Sequence, residues 1–234
     1  MRAWTPHECV AIHSYTLLSE EFVSTCHIPT YEAFLHKADL GPAYLWQKRF
    51  LQYLQLDCSK RRWVLKPPDH VYGLDKLLTV FPDAVVIQTH RNPVEVVRSQ
   101  FQLPKVLEGL FGRPGEHYQL GMREVRKIGE ILDHIIRFRD AYPDVAGQFI
   151  DVKYRELVSD PLAVVRRIYG RLDIPLTDAA AQRMQRLALS RSRYERRSVS
   201  STSADLGLDC SAETHRFEGY CSRFGIPCQY SESR

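Results

Sequence analysis

The amino-acid sequence predicts an α/β protein with a mainly parallel sheet flanked by helices. Three short apolar segments, at residues 62–66, 84–90 and 148–154, have the length and composition of buried strands. Longer segments with apolar residues at helical spacing lie between them and after the last one. Strands that alternate with helices form parallel sheets, and ligands bind to such sheets at the carboxyl ends of the strands.

The first half of the chain begins with a helix predicted over residues 42–56. Its apolar side chains recur at helical spacing on one face, which consists of Trp46, Phe50 and Leu54. The segment RWVLK follows, and we interpret it as a buried strand that ends at Lys66. A second helix is predicted within residues 67–83, with Asp69 as its N-cap. Its apolar side is formed by Leu74, Leu77, Leu78 and Phe81.

The next strand, AVVIQTH, leads directly into a well-specified helix start. Asn92 is a good N-cap, Pro93 fits the first helical position, and Glu95 stands three positions after the cap, as in a capping box. The free N–H groups and the dipole of this helix favour a nearby anion. Arg91 precedes the cap, and Ser99 returns to the face of Asn92 about two turns later, so one guanidinium and one hydroxyl can converge on a bound phosphate.

These residues leave a second interpretation open. In it, Arg91 pairs with Glu95 or another carboxylate, and Ser99 is merely exposed. The neighbouring His90 is expected to have a structural role, because side chains alternate along a strand and His90 and Arg91 should face opposite ways.

The second half of the chain begins with a long helix predicted over residues 118–142. Its buried stripe consists of Val125, Ile128, Leu132 and Ile135. The segment QFIDVKY is the third strand, and Asp160 then caps a helix whose first residue is Pro161. Helices at residues 178–189 and 212–224 follow, with a polar, Ser-rich loop between them.

Composition narrows the class of protein. The chain has 234 residues, of which 44% are hydrophobic and 26% charged, as in an ordinary globular protein, and we expect one domain over residues 1–234. The net charge of +4 is compatible with small anionic ligands but is too diffuse for nucleic-acid binding. Because there is no membrane-spanning apolar run and no signal-peptide pattern, we expect a cytoplasmic protein. The nine histidines show no metal-binding spacing, so no metal is predicted.

Three stretches together resemble the sulfotransferases. They read WVLKPPDH, VFPDAVVIQTHRNPVEVVRS and VKYRELVSDPLAVVRRIYGRLDIP, and the similarity is to the bacterial-type branch with WVLKSPxH followed by THRDPVEV. It extends from about Pro29 to FEGYCSRFGIP near the end. The resemblance implies a P-loop-like three-layer fold. It also implies transfer of a sulfuryl group from 3′-phosphoadenylyl sulfate to a hydroxyl of a small-molecule, carbohydrate or lipid acceptor, without a metal.

The resemblance also implies a donor site. In the family, the Arg and Ser of the RxPxxxxxS element bind the donor's 3′-phosphate, and these are Arg91 and Ser99 here. Tyr154 is expected to lie near the adenine. A late basic loop closes on the nucleotide in many relatives. At its position this chain reads ERRSVSSTSADLGL instead of HRYSLEDFGL, which leaves Arg196 and Arg197 as candidates by position.

The transfer step requires a charge stabiliser and a base. By the resemblance, Lys66 contacts the sulfonate or the bridging oxygen, and His70 accepts the proton of the acceptor hydroxyl. A histidine at a helix N-terminus is kept neutral by the helix dipole, so it can accept a proton. Asp69 is the alternative base, because some branches of the family use a carboxylate.

One element of the family is not found in the sequence. The family begins with a strand and a Gly-rich loop resembling PRSGTT, whose backbone N–H groups hold the 5′-phosphosulfate. Residues 1–28 contain no glycine, so we expect a chain that is N-terminally incomplete relative to the family. Three hypotheses remain: a sulfotransferase, a catalytically impaired homologue that binds the nucleotide without transfer, and a kinase-like protein that uses ATP. The third lacks a Walker A motif.

Overall fold

The computed structural model describes residues 7–26, 28–56, 62–100, 117–191 and 215–227. The chain divides into two compact units. Among the described residues, the first consists of residues 7–84 and Asp133–Ala141, and the second of residues 85–100, His117–Leu132 and 142–227. The candidate residues Arg196 and Arg197 lie outside the described residues.

The described part of the first unit is built from short helices. They are α1 (Val10–His13), α2 (Glu20–Thr25), α3 (Pro29–Leu35), α4 (Gly41–Leu54) and α5 (Leu74–Val80), with 3-10 turns at Ser14–Thr16 and Pro68–Gly73. Asp69 lies inside the second of these turns and does not cap α5, which begins after Gly73. The prediction of Asp69 as an N-cap is therefore wrong, because the chain tightens into a 3-10 turn before the α-helix starts.

The helix predicted over residues 42–56 is α4, but its buried face differs from the apolar one. The buried residues are Ala43, Tyr44, Gln47 and Leu51. Trp46 and Leu54 are exposed, although Trp46 and Phe50 do lie side by side, with ring centroids 6.5 Å apart. The polar side chains of Tyr44 and Gln47 can be buried because both find hydrogen-bond partners within this unit.

The sheet lies in the second unit and contains two parallel strands in the described part of the chain. They are β1 (Val86–His90) and β2 (Phe149–Lys153), paired in a register that aligns Val86 with Phe149 and His90 with Lys153. The predicted α/β class with a parallel sheet flanked by helices is confirmed. Because the strands are parallel, both carboxyl ends lie at the same edge of the sheet, and a helix follows each of them.

The helices of this unit lie at or near the predicted positions, except for α8, which was not predicted and begins at Tyr154, where the third strand was expected to end. They are α6 (Pro93–Gln100), α7 (His117–Ala141), α8 (Tyr154–Ser159), α9 (Pro161–Arg171), α10 (Asp178–Arg191) and α11 (Glu218–Phe224), with 3-10 turns at Pro143–Gln148 and His215–Phe217. Of α7, His117–Leu132 belong to this unit. As predicted, the Asp160 carboxylate accepts the Ala163 N–H at 2.9 Å and caps α9.

Packing in this unit is centred on β2. Ile150 and Val152 pack with Val164 of α9, and the partly buried apolar residues around them are Leu157, Ile168 and Leu172. Alternate residues of β2 are thus buried against a helix that follows it, as expected for a βα unit. In the described part of the chain, no helix is both long and apolar enough to cross a bilayer.

The strand predicted at residues 62–66 is not present. Residues 62–67 have no regular secondary structure, and Val64 is 92% exposed. One backbone contact does fix the end of this segment, since the Cys9 N–H donates to the Lys66 carbonyl at 3.0 Å. Apolar composition cannot make a strand by itself, because the backbone also needs a neighbouring strand to pair with.

Candidate functional site

The carboxyl ends of β1 and β2 border a small cavity in the second unit. Its volume is about 70 Å³. The lining residues are His90, Arg91, Asn92, Glu95, Lys153, Tyr154, Arg155, Glu156, Ile226 and Pro227. The strand register explains this convergence, because it aligns the last residues of the two strands and so brings the following residues to one edge. This is the position at which parallel α/β sheets bind ligands.

Arg91 and Tyr154, both predicted from the sequence, are in contact at this edge. The guanidinium carbon of Arg91 lies 4.5 Å from the centroid of the Tyr154 ring, which is a cation–π distance. Arg91 Nε also donates to Glu95 Oε2 at 3.0 Å, and the arginine side chain is 33% exposed. The carboxylate pairing that the sequence left open is therefore present. It engages one of the five guanidinium N–H donors.

The start of α6 is built as its sequence predicts, with one difference. Asn92 is buried and its side-chain oxygen accepts the Val94 N–H at 3.0 Å, which is an N-cap hydrogen bond. Glu95 stands at the capping-box position, but its carboxylate binds Arg91. Ser99 is exposed near the end of α6 and is not among the described residues that line the cavity. The convergence of Arg91 and Ser99 on one phosphate thus stays a prediction.

His90 is buried in a hydrogen-bonded position, as strand alternation predicts. It is 2% exposed, its Nδ1 lies 2.7 Å from the Tyr220 hydroxyl, and its Nε2 lies 2.9 Å from Asp151 Oδ1. Burial raises the pKa of Tyr220, so the phenol keeps its proton and donates to Nδ1. The Nε2–H then donates to the Asp151 carboxylate. Both ring nitrogens are engaged, and His90 braces α11 against the sheet.

The cavity is also lined by two cationic residues that the sequence patterns did not single out. Lys153 is the last residue of β2, and Arg155 lies in the first turn of α8. They flank Tyr154 in the chain. The signal that could have found them is the parallel register, which places the end of each strand beside the same ligand position.

In the first unit, Lys66 is held by a carboxylate. Its side chain is exposed, and Nζ contacts Oε1 of Glu8. Together with the backbone bond from Cys9, this contact fixes the end of the 62–67 segment. Surface ion pairs of this kind contribute little to stability, so Lys66 can exchange Glu8 for another anion at small cost.

His70 is held in its neutral form by burial. Its Nδ1 lies 3.0 Å from the hydroxyl of Tyr44, which is itself fully buried. Desolvation lowers the pKa of His70 to about 3, and the nearby His13 acts in the same direction. The sequence predicted a neutral histidine from the helix dipole, whereas the structural cause is loss of water.

A buried polar network surrounds His70. His13 Nε2 lies 2.8 Å from Gln47 Oε1, and Gln47 Nε2 donates to Cys9 Sγ at 3.2 Å. Because the amide nitrogen of Gln47 faces the sulfur, its oxygen accepts from His13, which fixes the Nε2–H tautomer of that ring. The rings of His13 and His70 meet edge to face at 5.8 Å.

Asp69 lies beside this network and borders a second cavity of about 20 Å³, the space of one water molecule. Asp69 is 8% exposed, and its Oδ1 has no hydrogen-bond partner among the described residues. Burial is the largest cause that raises the pKa of Asp69, and the carboxylate of Glu20 acts in the same direction. Because a raised pKa favours the protonated form, Asp69 can act as a base only after it loses that proton, and its role as the alternative base stays a prediction.

Three comparisons with known proteins agree on one class. A family model described as "Sulfotransferase family" matches residues 1–178. Two curated relatives are omega-hydroxy-beta-dihydromenaquinone-9 sulfotransferase Stf3 from Mycobacterium bovis and from Mycobacterium tuberculosis. Each is 28% identical over 152 residues, which is 62% of this chain and 38% of the relative.

Solved structures give the same result for the fold. The crystal structure of sulfotransferase STF9 from Mycobacterium avium has a TM-score of 0.84 and 27% identity, and the match covers 97% of this chain and 58% of that one. Sulfotransferase STF1 from Mycobacterium tuberculosis H37Rv has a TM-score of 0.79 and 31% identity, with 94% and 56% covered. The chain therefore spans less than two thirds of the length of each of these relatives.

Proposed function

The chain belongs to the sulfotransferase family, and we propose that it uses 3′-phosphoadenylyl sulfate to transfer a sulfuryl group to a hydroxyl. The observation that carries the proposal is the contact of Arg91 with Tyr154 in a cavity at the carboxyl ends of two parallel strands. A guanidinium beside an aromatic ring supplies the two groups that an adenosine 3′-phosphate needs, namely charge-assisted donors for the phosphate and a surface for the base.

In the proposed donor complex, Arg91 binds the 3′-phosphate through its Nη groups, because Nε is engaged by Glu95. Ser99 adds a hydroxyl donor to the same phosphate. Tyr154 is 37% exposed and lies near the adenine. The basic residues Arg196 and Arg197 are assigned to closure over the nucleotide by their position in the sequence alone.

The proposed transfer is a displacement at sulfur. The acceptor oxygen forms a bond to the sulfur, the bond from sulfur to the bridging oxygen breaks, and adenosine 3′,5′-bisphosphate leaves. His70 takes the acceptor's proton, for which Nε2 must be unprotonated and the Nδ1–H must donate to the oxygen of Tyr44. Lys66 stabilises charge on the leaving oxygen once it exchanges Glu8 for the donor.

The resting pKa of His70 bears directly on this role. At about 3 it ensures the neutral form, but it makes the imidazole a weak base. The charges of a bound sulfate donor favour the imidazolium and so raise this pKa towards the working pH. We therefore expect His70 to act as a base only when the donor is bound.

For the acceptor, we propose a hydroxyl on a lipid-like molecule. The support is the similarity to the two curated relatives, whose names specify an omega-hydroxy-beta-dihydromenaquinone-9. Other hydroxyls, on carbohydrates or small phenols, are the classes to test beside it. The alternative function is binding of the 3′-phosphoadenosine nucleotide without transfer.

Calorimetry tests the donor assignment. We expect adenosine 3′,5′-bisphosphate to bind more tightly than adenosine 5′-monophosphate, because only the former carries the 3′-phosphate, and ATP to bind weakly or not at all. Equal affinity for the bisphosphate and the monophosphate would contradict the proposal. Turnover of a radiolabelled sulfate donor with lipid, sugar and phenol alcohols then separates the enzyme from the binding protein, which would bind the bisphosphate but transfer nothing.

A further inference from the structure

We propose that Lys153 is a second cationic ligand of the donor's 3′-phosphate, an inference that rests on the proposed function. A phosphate monoester carries a charge of about −1.5 to −2 near neutral pH. Arg91 alone brings one positive charge, and Glu95 offsets part of it. A further cation is therefore needed to balance the phosphate at this edge of the sheet.

The position of Lys153 follows from the strand register. Lys153 is paired with His90, so its Cα lies beside the strand end that Arg91 follows. Both Lys153 and Arg91 line the same cavity. The lysine side chain is exposed, which leaves its ammonium group available to a ligand.

The ammonium group of Lys153 lies close to the turn that follows α11. Gly225 has a φ of +60°, and a Cβ on it would lie 3.2 Å from Lys153 Nζ. The next two residues, Ile226 and Pro227, line the cavity themselves. Nζ therefore lies at the cavity wall, in space that a residue larger than glycine would constrict.

Ion pairing distinguishes Lys153 and Arg155 from the other charged groups of the cavity. Glu95 is engaged by Arg91, and Glu156 accepts from Arg167 Nη2 at 2.9 Å. Within the described residues, Lys153 and Arg155 have no carboxylate partner. Of the two, Lys153 is the one whose charged group lies next to Gly225, beside two residues that line the cavity, which favours it as the ligand.

A purely local role is the competing explanation. A lysine near the carboxyl end of a helix interacts favourably with the helix dipole, so Lys153 could serve only to stabilise the end of α11. That role predicts a change in melting temperature without a selective change in nucleotide affinity. The two roles therefore differ in a measurable way.

The test is calorimetry of Lys153→Gln with adenosine 3′,5′-bisphosphate and with adenosine 5′-monophosphate. We expect the Kd for the bisphosphate to rise roughly 10- to 150-fold, the scale of one charged hydrogen bond, and the Kd for the monophosphate to stay unchanged. Lys153→Arg, which keeps the charge, should stay close to the parent. Lys37→Gln is the matched control, because Lys37 is an exposed lysine in the first unit.

The outcomes separate this inference from the proposed function. Suppose that Arg91→Ala raises the Kd for the bisphosphate, while Lys153→Gln has the same Kd as Lys37→Gln. The assignment of Lys153 is then overturned and the donor site stands. The assignment is also overturned if Lys153→Gln raises the Kd values for the bisphosphate and the monophosphate equally. A residue that binds the 3′-phosphate must affect only the nucleotide that carries this phosphate. If the parent binds the two nucleotides equally, the proposed function fails, and the role of Lys153 fails with it.

Discussion

Replacing Arg91 with alanine is the most direct perturbation of the proposed donor site. The structure gives this guanidinium three environments: the Tyr154 ring at 4.5 Å, the Glu95 carboxylate at 3.0 Å from Nε, and the cavity. Loss of hydrogen bonds to a charged partner costs about 1.5–3 kcal/mol. We therefore expect Arg91→Ala to raise the Kd for adenosine 3′,5′-bisphosphate roughly 10- to 150-fold.

A substitution of the neighbouring Glu95 should change the affinity for the bisphosphate in the opposite direction. The carboxylate competes with the phosphate for the guanidinium and adds a negative charge to the cavity. A partly exposed pair of this kind is worth about 0.3–1 kcal/mol. Glu95→Gln, whose side-chain oxygen can still accept from Nε, should therefore lower the Kd by a factor of roughly 2–5.

The assay is isothermal titration of each variant with the bisphosphate and with adenosine 5′-monophosphate. Arg183→Ala is the control, since Arg183 is an exposed arginine on α10 that does not line the cavity. The monophosphate should report no change for Arg91→Ala beyond that of the control. An Arg91→Ala protein that is folded, as judged by circular dichroism, and binds the bisphosphate like the parent would refute the reasoning.

Three further predictions concern the buried network of the first unit. Tyr44→Phe removes the hydrogen-bond partner of His70 Nδ1. We therefore expect two-dimensional ¹H–¹⁵N NMR to show a changed His70 tautomer, and we expect turnover to fall while the affinity for the donor stays the same. An unchanged tautomer would contradict this prediction. Because the pKa of His70 is about 3 in the folded protein and 6.5 for an unperturbed histidine, unfolding takes up a proton between these values. The free energy of unfolding should therefore fall as pH drops below 6.5, by up to about 1.4 kcal/mol per pH unit, and urea titrations of His70→Gln should lose that slope. Asp69 has a raised pKa, so its stabilising contribution is present at low pH and lost as pH rises through the folded pKa. Asp69→Asn should accordingly gain more stability over the parent at a pH of about 7.5 than at about 4, and an equal gain at both would count against a buried, protonated acid.

The sequence predicted the region around Arg91 well because local rules decide it. Asn92 and Pro93 specify a helix start through one cap hydrogen bond and one allowed backbone angle. Strand alternation then placed His90 inside, and the βα pattern predicted a parallel sheet with its carboxyl edge at Arg91. The cap and the burial of His90 depend on residues within a few positions of one another, whereas the parallel pairing joins distant segments and was predicted from the alternation of strands and helices.

The first unit was predicted less well because its packing depends on distant partners. The spacing of apolar residues predicted that the Trp46 face of α4 is buried. Instead, Tyr44 and Gln47 are buried, and they form hydrogen bonds with His70 and His13 from other segments. No periodicity rule can reveal that a buried polar residue will be satisfied by a group 26 or 34 positions away. The strand predicted at residues 62–66 failed for the same reason, since pairing is a property of two segments.

Glu95 shows how one residue can satisfy two sequence rules while the structure uses only one of them. Glu95 stands three positions after the cap Asn92 and four positions after Arg91. It can therefore either complete a capping box or pair with the arginine. In the pair, the carboxylate fixes Nε and the Tyr154 ring contacts the guanidinium, which restricts the arginine's rotamers before any ligand arrives. Ordering a long side chain costs about 0.5–1.5 kcal/mol on binding, so a preoriented Arg91 recovers part of what the competing charge removes. In the proposed donor complex, Glu95 therefore acts in two opposing ways: with Tyr154 it preorients Arg91, and its charge competes with the 3′-phosphate.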